Sequence, residues 1–216
     1  VQKRGDGQYY VRGTFTKYNK DFTNDVLHFF DQGFEQISIE PVVTDPKLPY
    51  ALTEEDLPEV FAEYEKLAKV IIEKRKNGEF FNFFHFMIDL DQGPCAIKRR
   101  RGCGCGNEYV SVTPEGDVYP CHQFVGKKEW IMGSVNDLSL NTEIKDSFAK
   151  TTVYTKPECR TCWAKFYCSG GGMENACHYA GDIMGTYEIG CKLQRKRIEC
   201  AIMIKAKLML DELENK

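Results

Sequence analysis

The spacing of apolar positions alternates along the first part of the chain. Residues 8–16 are rich in Tyr, Val, Thr and Phe, and this composition predicts a strand. Phe22, Val26, Leu27 and Phe30 then recur at three-and-four spacing over 21–31, the stripe of an amphipathic helix, with Gly33 placed to end it. Residues 37–43, Ile-Ser-Ile-Glu-Pro-Val-Val, return to strand chemistry. Strand, helix and strand at this spacing form a βαβ unit, which predicts a parallel sheet. Thr53-Glu-Glu-Asp56 has the form of a capping box. Behind it Leu57, Val60, Phe61, Tyr64, Leu67, Ala68, Ile71 and Ile72 mark one face of a long helix closed by Asn77-Gly78. The aromatic-rich stretch 79–90 is expected to add a short helix. Two parallel strands cannot bury both faces by themselves. A chain that opens at Val1 directly before such a strand is therefore expected to be the C-terminal part of a larger α/β protein.

The texture changes past Gly93-Pro94-Cys95. Residues 108–112 and 117–119 flank Thr113-Pro-Glu-Gly116 and predict a β-hairpin that delivers Cys121. From Cys191 to Leu213 the pattern is helical again, with Ile198, Ala201, Ile202, Met209 and Leu213 on the face expected to be buried. A net charge of −3 argues against general nucleic-acid binding. No apolar run is long enough to span a membrane, and no signal-peptide pattern is present, so a cytoplasmic location is expected.

Ten cysteines, all from Cys95 onward, change the picture most. Cys159-Arg-Thr-Cys162-Trp-Ala-Lys-Phe-Tyr-Cys168 leads directly into Ser-Gly-Gly-Gly. A buried thiolate is costly unless a metal or cluster takes its charge. The glycines let the backbone take positive φ and pass close to something bulky. The clustering favours ligation over a disulfide framework or inert core thiols. Zinc would call for paired C-x2-C knuckles or histidines at ligand spacing, and only one C-x2-C is present. A zinc-stabilised binding module without redox chemistry is the alternative reading. Cys200 lies among apolar residues and reads as core. Lys98-Arg-Arg-Arg101 reads first as a solvated face, and otherwise as an attractor for an acidic peptide.

Gly116-x4-Cys121, Cys159-x2-Cys162-x5-Cys168, Cys177 and Cys191 together resemble the SPASM domain of radical S-adenosylmethionine (SAM) enzymes. Residues 10–16, 39–43, Gly93-Pro-Cys95 and 112–124 resemble the maturases that install Cys thioether crosslinks in small Cys-rich peptides, the sactipeptide and ranthipeptide class. The resemblance implies an α/β fold: residues 1–92 as the second half of a partial (β/α)6 radical SAM barrel, and 93–216 as a SPASM domain with a hairpin and a C-terminal helix. It implies two auxiliary [4Fe-4S] clusters. Cys159, Cys162, Cys168 and Cys191 would hold cluster II. Cys121 and Cys177 would hold cluster I with upstream thiols, Cys103 preferred, Cys105 as its alternative and Cys95 as the fourth ligand. The family's C-x3-C-x2-C is absent, so SAM and a third [4Fe-4S] cluster would belong to the full-length enzyme, and this fragment alone would not cleave SAM. Arg12 and Glu40, charges on barrel strands, would contact SAM if they are not merely a structural ion pair. His122, next to a ligand, is a candidate proton acceptor beside a plainer role as a donor near the cluster. The implied partners are a Cys-rich precursor peptide, the missing N-terminal half, and an electron donor such as a ferredoxin or flavodoxin.

Overall fold

The computed structural model describes residues 9–214, which fall into two compact units. One holds the chain up to Gln92 and again from Lys192 onward; the other is Gly93–Cys191. The last helix was expected to belong with the Cys-rich domain, but from Lys192 on it groups with the first unit. The reason is chemical: Leu193, Ile198, Ala201 and Ile204 are buried, and Arg197 is tied to Tyr64.

The first unit is built on a three-stranded parallel sheet of order β1-β2-β3: β1 Val11–Phe15, β2 Gln36–Pro41 and β3 Asn82–Phe83. Val11 aligns with Ile37 and Phe15 with Pro41, while Gln36 aligns with Asn82. Helix α1 (Phe22–Asp31) connects β1 to β2, and α2 (Leu57–Lys76) connects β2 to β3. Parallel pairing requires such crossovers. Ile37, Ser38 and Ile39 are buried in succession, the pattern of a strand covered on both faces. Phe15, Phe22 and Tyr64 stack at 4.7 and 4.8 Å between ring centres and join the sheet to both helices. Thr23 binds α1 to α2: its N–H donates to Glu63 Oε1 at 3.0 Å.

The capping box is present. The backbone N–H and the hydroxyl of Thr53 both donate to Asp56 Oδ2 at 2.9 Å, in a short 3-10 turn that feeds α2. The 79–90 segment departs from expectation. The short helix is present only as the 3-10 turn Phe84–Phe86, and ahead of it the segment supplies β3, because Phe81 and Phe83 alternate into the core beside β2. Helix α7 (Glu188–Glu214) buries Leu193, Arg197, Ile198, Cys200, Ala201 and Ile204. Ile202, Met209 and Leu213, expected inside, are exposed: Ile202 lies off the buried stripe, and Met209 and Leu213 lie beyond its last member, Ile204.

In the second unit the expected hairpin forms from β4 (Ser111–Val112) and β5 (Asp117–Tyr119), and β6 (Gly133–Ser134) with β7 (Ser139–Leu140) extends it into a four-stranded antiparallel sheet. Gly116 turns the hairpin at φ 95°, a region costly for any side chain. Four helices follow the sheet: α3 (Thr142–Lys150), α4 (Pro157–Arg160), α5 (Lys165–Cys168) and α6 (Met173–Ala180). The core gathers Tyr119, Phe124, Phe148, Met173 and Ile183 with two cysteines, Cys105 and Cys121. No helix among the described residues is long and apolar enough to cross a membrane.

Candidate metal centres

The ten cysteines are unbridged thiols, and those of the second unit other than Cys95 fall into two groups. The first group sits in the aromatic core. Cys105 and Cys121 are buried there, and Cys177, on α6, packs against the same core at its margin. The Gly-Cys-Gly-Cys-Gly loop is tied down where it meets the hairpin: Gly106 N–H donates to Pro120 O at 2.9 Å, one residue before Cys121. The thiols of Cys103, Cys105 and Cys121 are consequently linked in a hydrogen-bonded chain. Tyr109 donates its hydroxyl to Cys103 Sγ at 3.4 Å.

The thiols of this group do not ionise independently. Cys105 is pushed far up by its two thiol neighbours and by burial. Cys103 is held down by the Cys105 thiol and then by Tyr109. Cys121 is held down by Cys105, by the backbone N–H groups of Gln123 and Phe124, and by His122. One thiol thus keeps its proton while the outer two favour the thiolate, the form that binds metal. His122 is exposed beside Cys121 and acts on it through charge. Cys95 was the expected fourth ligand of this set. It lies exposed in its own loop, where the backbone of Lys98 and Ile97 hydrogen-bonds its thiol. Cys105, which was ranked behind Cys103, stands between Cys103 and Cys121. The C-x-C spacing carried that signal, because glycines on both sides allow both thiols to turn inward.

The second group includes three thiols whose charge reaches Lys156, those of Cys159, Cys168 and Cys191, with Cys162 acting on Cys159 and Cys168. Cys159 lies in α4, Cys168 ends α5, Cys191 lies in the first turns of α7, and Cys162 stands between α4 and α5. Cys159 and Cys168 are pushed up chiefly by burial, and each senses the charge of the other or of Cys162. Opposing that, the backbone N–H groups of Gly170 and Gly171 donate to the Cys168 sulfur. They can reach it because Ser169, Gly170 and Gly171 run through positive φ in succession, at 62°, 87° and 71°. This run of turned amides makes a concavity suited to negative charge. Among the described residues, no three His, Cys, Asp or Glu side chains converge on a single-ion site.

In the first unit, Arg12 and Glu40 pair at 3.6 Å, with 69% of the Arg12 side chain exposed against 21% for Glu40. Sequence reasoning missed the rest of this network. His85 Nε2 lies 3.0 Å from Glu40 Oε2. Ser38 donates to Glu40 Oε1 at 2.9 Å, and buried Arg197 donates through Nε to Tyr64 at 2.9 Å. Burial raises the Glu40 pKa, but His85, Ser38 and Arg197 together outweigh it and hold the carboxyl at about 2. His85 is pushed down by burial and then by Arg197, which favours its neutral form. Periodicity could not reveal this network, since its members come from β1, β2, the turn after β3, and α7. The basic run is only partly a solvated face. Lys98 to Arg100 are exposed, whereas the Arg101 side chain is mostly covered and faces Glu108 at 3.7 Å.

Residues 103–163, which carry the hairpin and five of these cysteines, match the family model of SPASM, described as an iron-sulfur cluster-binding domain. The donor chemistry of both groups fits such clusters: reduced thiols, several buried, with N–H donors on their sulfurs. The whole chain shares its fold with solved structures of anSMEcpe. The native protein with bound AdoMet superimposes with a TM-score of 0.67 at 17% identity, over 99% of this chain and 60% of that one. The form with bound AdoMet and Cp18Cys peptide gives 0.64 at 18% identity, over 99% and 60%. The α/β radical SAM/SPASM fold expected from the motifs is therefore the fold found, and the chain spans about 60% of the length of these structures. No curated protein sequence matches the chain.

Proposed function

We propose that this chain is the cluster-bearing portion of a radical SAM enzyme that modifies a ribosomally made peptide, and that the modification is a Cys thioether crosslink in a Cys-rich precursor. The observation that carries the reading is the pair of separate cysteine groups in the segment around the SPASM match. Cys159, Cys162, Cys168 and Cys191 would hold one [4Fe-4S] cluster. Cys103, Cys105, Cys121 and Cys177 would hold the other, with Cys105 as the fourth ligand in place of Cys95. Bound there, the clusters would supply a site for a substrate thiolate and a path for electrons. The protein's own part is to shield the thiolates, donate N–H groups to them and keep their spacing. A peptide substrate is supported by the fold shared with a structure that holds a peptide beside AdoMet. Arg12, the exposed member of its ion pair with Glu40, would contact SAM together with Glu40. The missing N-terminal half and a ferredoxin or flavodoxin would complete the system.

Anaerobic reconstitution of residues 1–216 tests the first layer. About eight iron atoms with matching sulfide and a cubane spectrum are expected, and zinc alone, or one cluster's iron, would overturn it. Without the segment that bears C-x3-C-x2-C, the same preparation should form no 5′-deoxyadenosine from SAM. The second layer is tested in the full-length enzyme, whose product peptide should lose a hydrogen pair per crosslink by mass spectrometry and should resist thiol alkylation.

A further inference from the structure

Lys156 is a buried cation that no described carboxylate pairs. It is 2% exposed, and its Nζ donates to Gly170 O at 3.1 Å. Among the described residues it forms no ion pair with Asp or Glu, although an ammonium has three donors to satisfy. Burying such a charge is expensive unless something opposite in sign stands close. The groups facing it are Cys159, Cys191 and Cys168, with Glu158 contributing less. Neutral thiols would leave the ammonium unmatched, whereas metal-bound thiolates would match it.

The position of Lys156 is also well determined. Its N–H donates to Thr152 O at 2.9 Å, and its carbonyl accepts from Cys159 and Arg160 at 3.1 and 3.2 Å, so it opens the helical turn that carries Cys159. Its bond to Gly170 O fixes the glycine run whose amides reach Cys168. One side chain therefore joins the two stretches of loop that supply the second thiol group.

We propose that Lys156 is a positioning residue for that group, the internal counter-charge of the cluster held by Cys159, Cys162, Cys168 and Cys191, and that it sets the cluster's reduction potential. This rests on the cluster assignment made above. A cluster with four thiolates carries net negative charge and gains more on reduction, so a nearby ammonium favours the reduced state. Removing it should make reduction harder.

The test is a redox titration of the reconstituted 1–216 chain, read by electron paramagnetic resonance, for the parent, Lys156→Met and Lys156→Arg. In Lys156→Met one cluster signal should become at least tenfold harder to reduce, about 59 mV for a one-electron couple, while the other stays in place. Lys156→Arg, which keeps the charge, should stay within threefold of the parent. Without iron, Lys156→Met should unfold no earlier than the parent, because it removes an unmatched buried charge. If Lys156→Met fails to load the second cluster and Lys156→Arg loads it, the counter-charge role stands, and failure of both would overturn it in favour of a shape requirement. Two loaded clusters with unchanged potentials in Lys156→Met would refute this proposal and leave the cluster assignment intact. A parent chain that takes up no cubane cluster would bring down both.

Discussion

Glu40→Gln isolates the buried network of the first unit and leaves its shape nearly unchanged. The Glu40 carboxyl titrates at about 2 in the folded chain against an ordinary value of 4.5. A folded value below the unfolded one stabilises the fold above the unfolded value, and that contribution fades as pH falls through the folded one. Taken at face value the difference is worth about 3 kcal/mol, and residual solvent screening brings it to about 2 kcal/mol. Gln cannot carry the charge that faces Arg12, His85 and Arg197, so at pH 7 the variant should lose about that amount. The loss should shrink as pH drops from about 5 towards 2, where parent and variant should converge. Hydrogen exchange of the β2 amides reports on this unit by itself, and comparing the two proteins at each pH cancels the intrinsic exchange rate. A difference that is constant from pH 7 to pH 3, or below about 0.5 kcal/mol throughout, would refute the argument that the carboxylate is held by its charged neighbours.

Tyr64→Phe removes the acceptor of Arg197 and leaves a buried guanidinium nitrogen unmatched, so about 1–3 kcal/mol should be lost in the same exchange measurement. Gly116→Ala places a side chain at φ 95° and sets its Cβ 2.5 Å from Asn136 Nδ2. It should cost about 1–3 kcal/mol and show as early loss of Trp130 fluorescence on urea unfolding. Cys105→Ala should remove one cluster's worth of iron after anaerobic reconstitution, while Cys95→Ala should leave iron and sulfide unchanged; the reverse pattern would return Cys95 to the ligand set.

Much of this protein was legible from the order of its residues. Local periodicity marked β1, α1, β2 and the α2 face, because burial against a neighbour imposes a period of two or of three to four whatever that neighbour is. The Pro-x-Gly turn marked the hairpin that presents Cys121, since only certain residues tolerate its backbone angles. Cysteine spacing marked the thiol-rich loop and its glycines. Other features depended on segments far apart in the chain. The aromatic stretch around Phe83 became a strand because an edge of β2 stood open to it, and propensity carries no record of that edge. Ile202, Met209 and Leu213 fit a helical stripe as well as Ile198 does, but only the tertiary packing decides which face of α7 is covered and where along it burial stops. Cys105 beside Cys121, His85 beside Glu40, and Lys156 near Cys168 and Cys191 are all juxtapositions of distant residues. Such contacts form through long-range chain closure, and it is there, with water excluded, that charge and thiol chemistry acquire their strength.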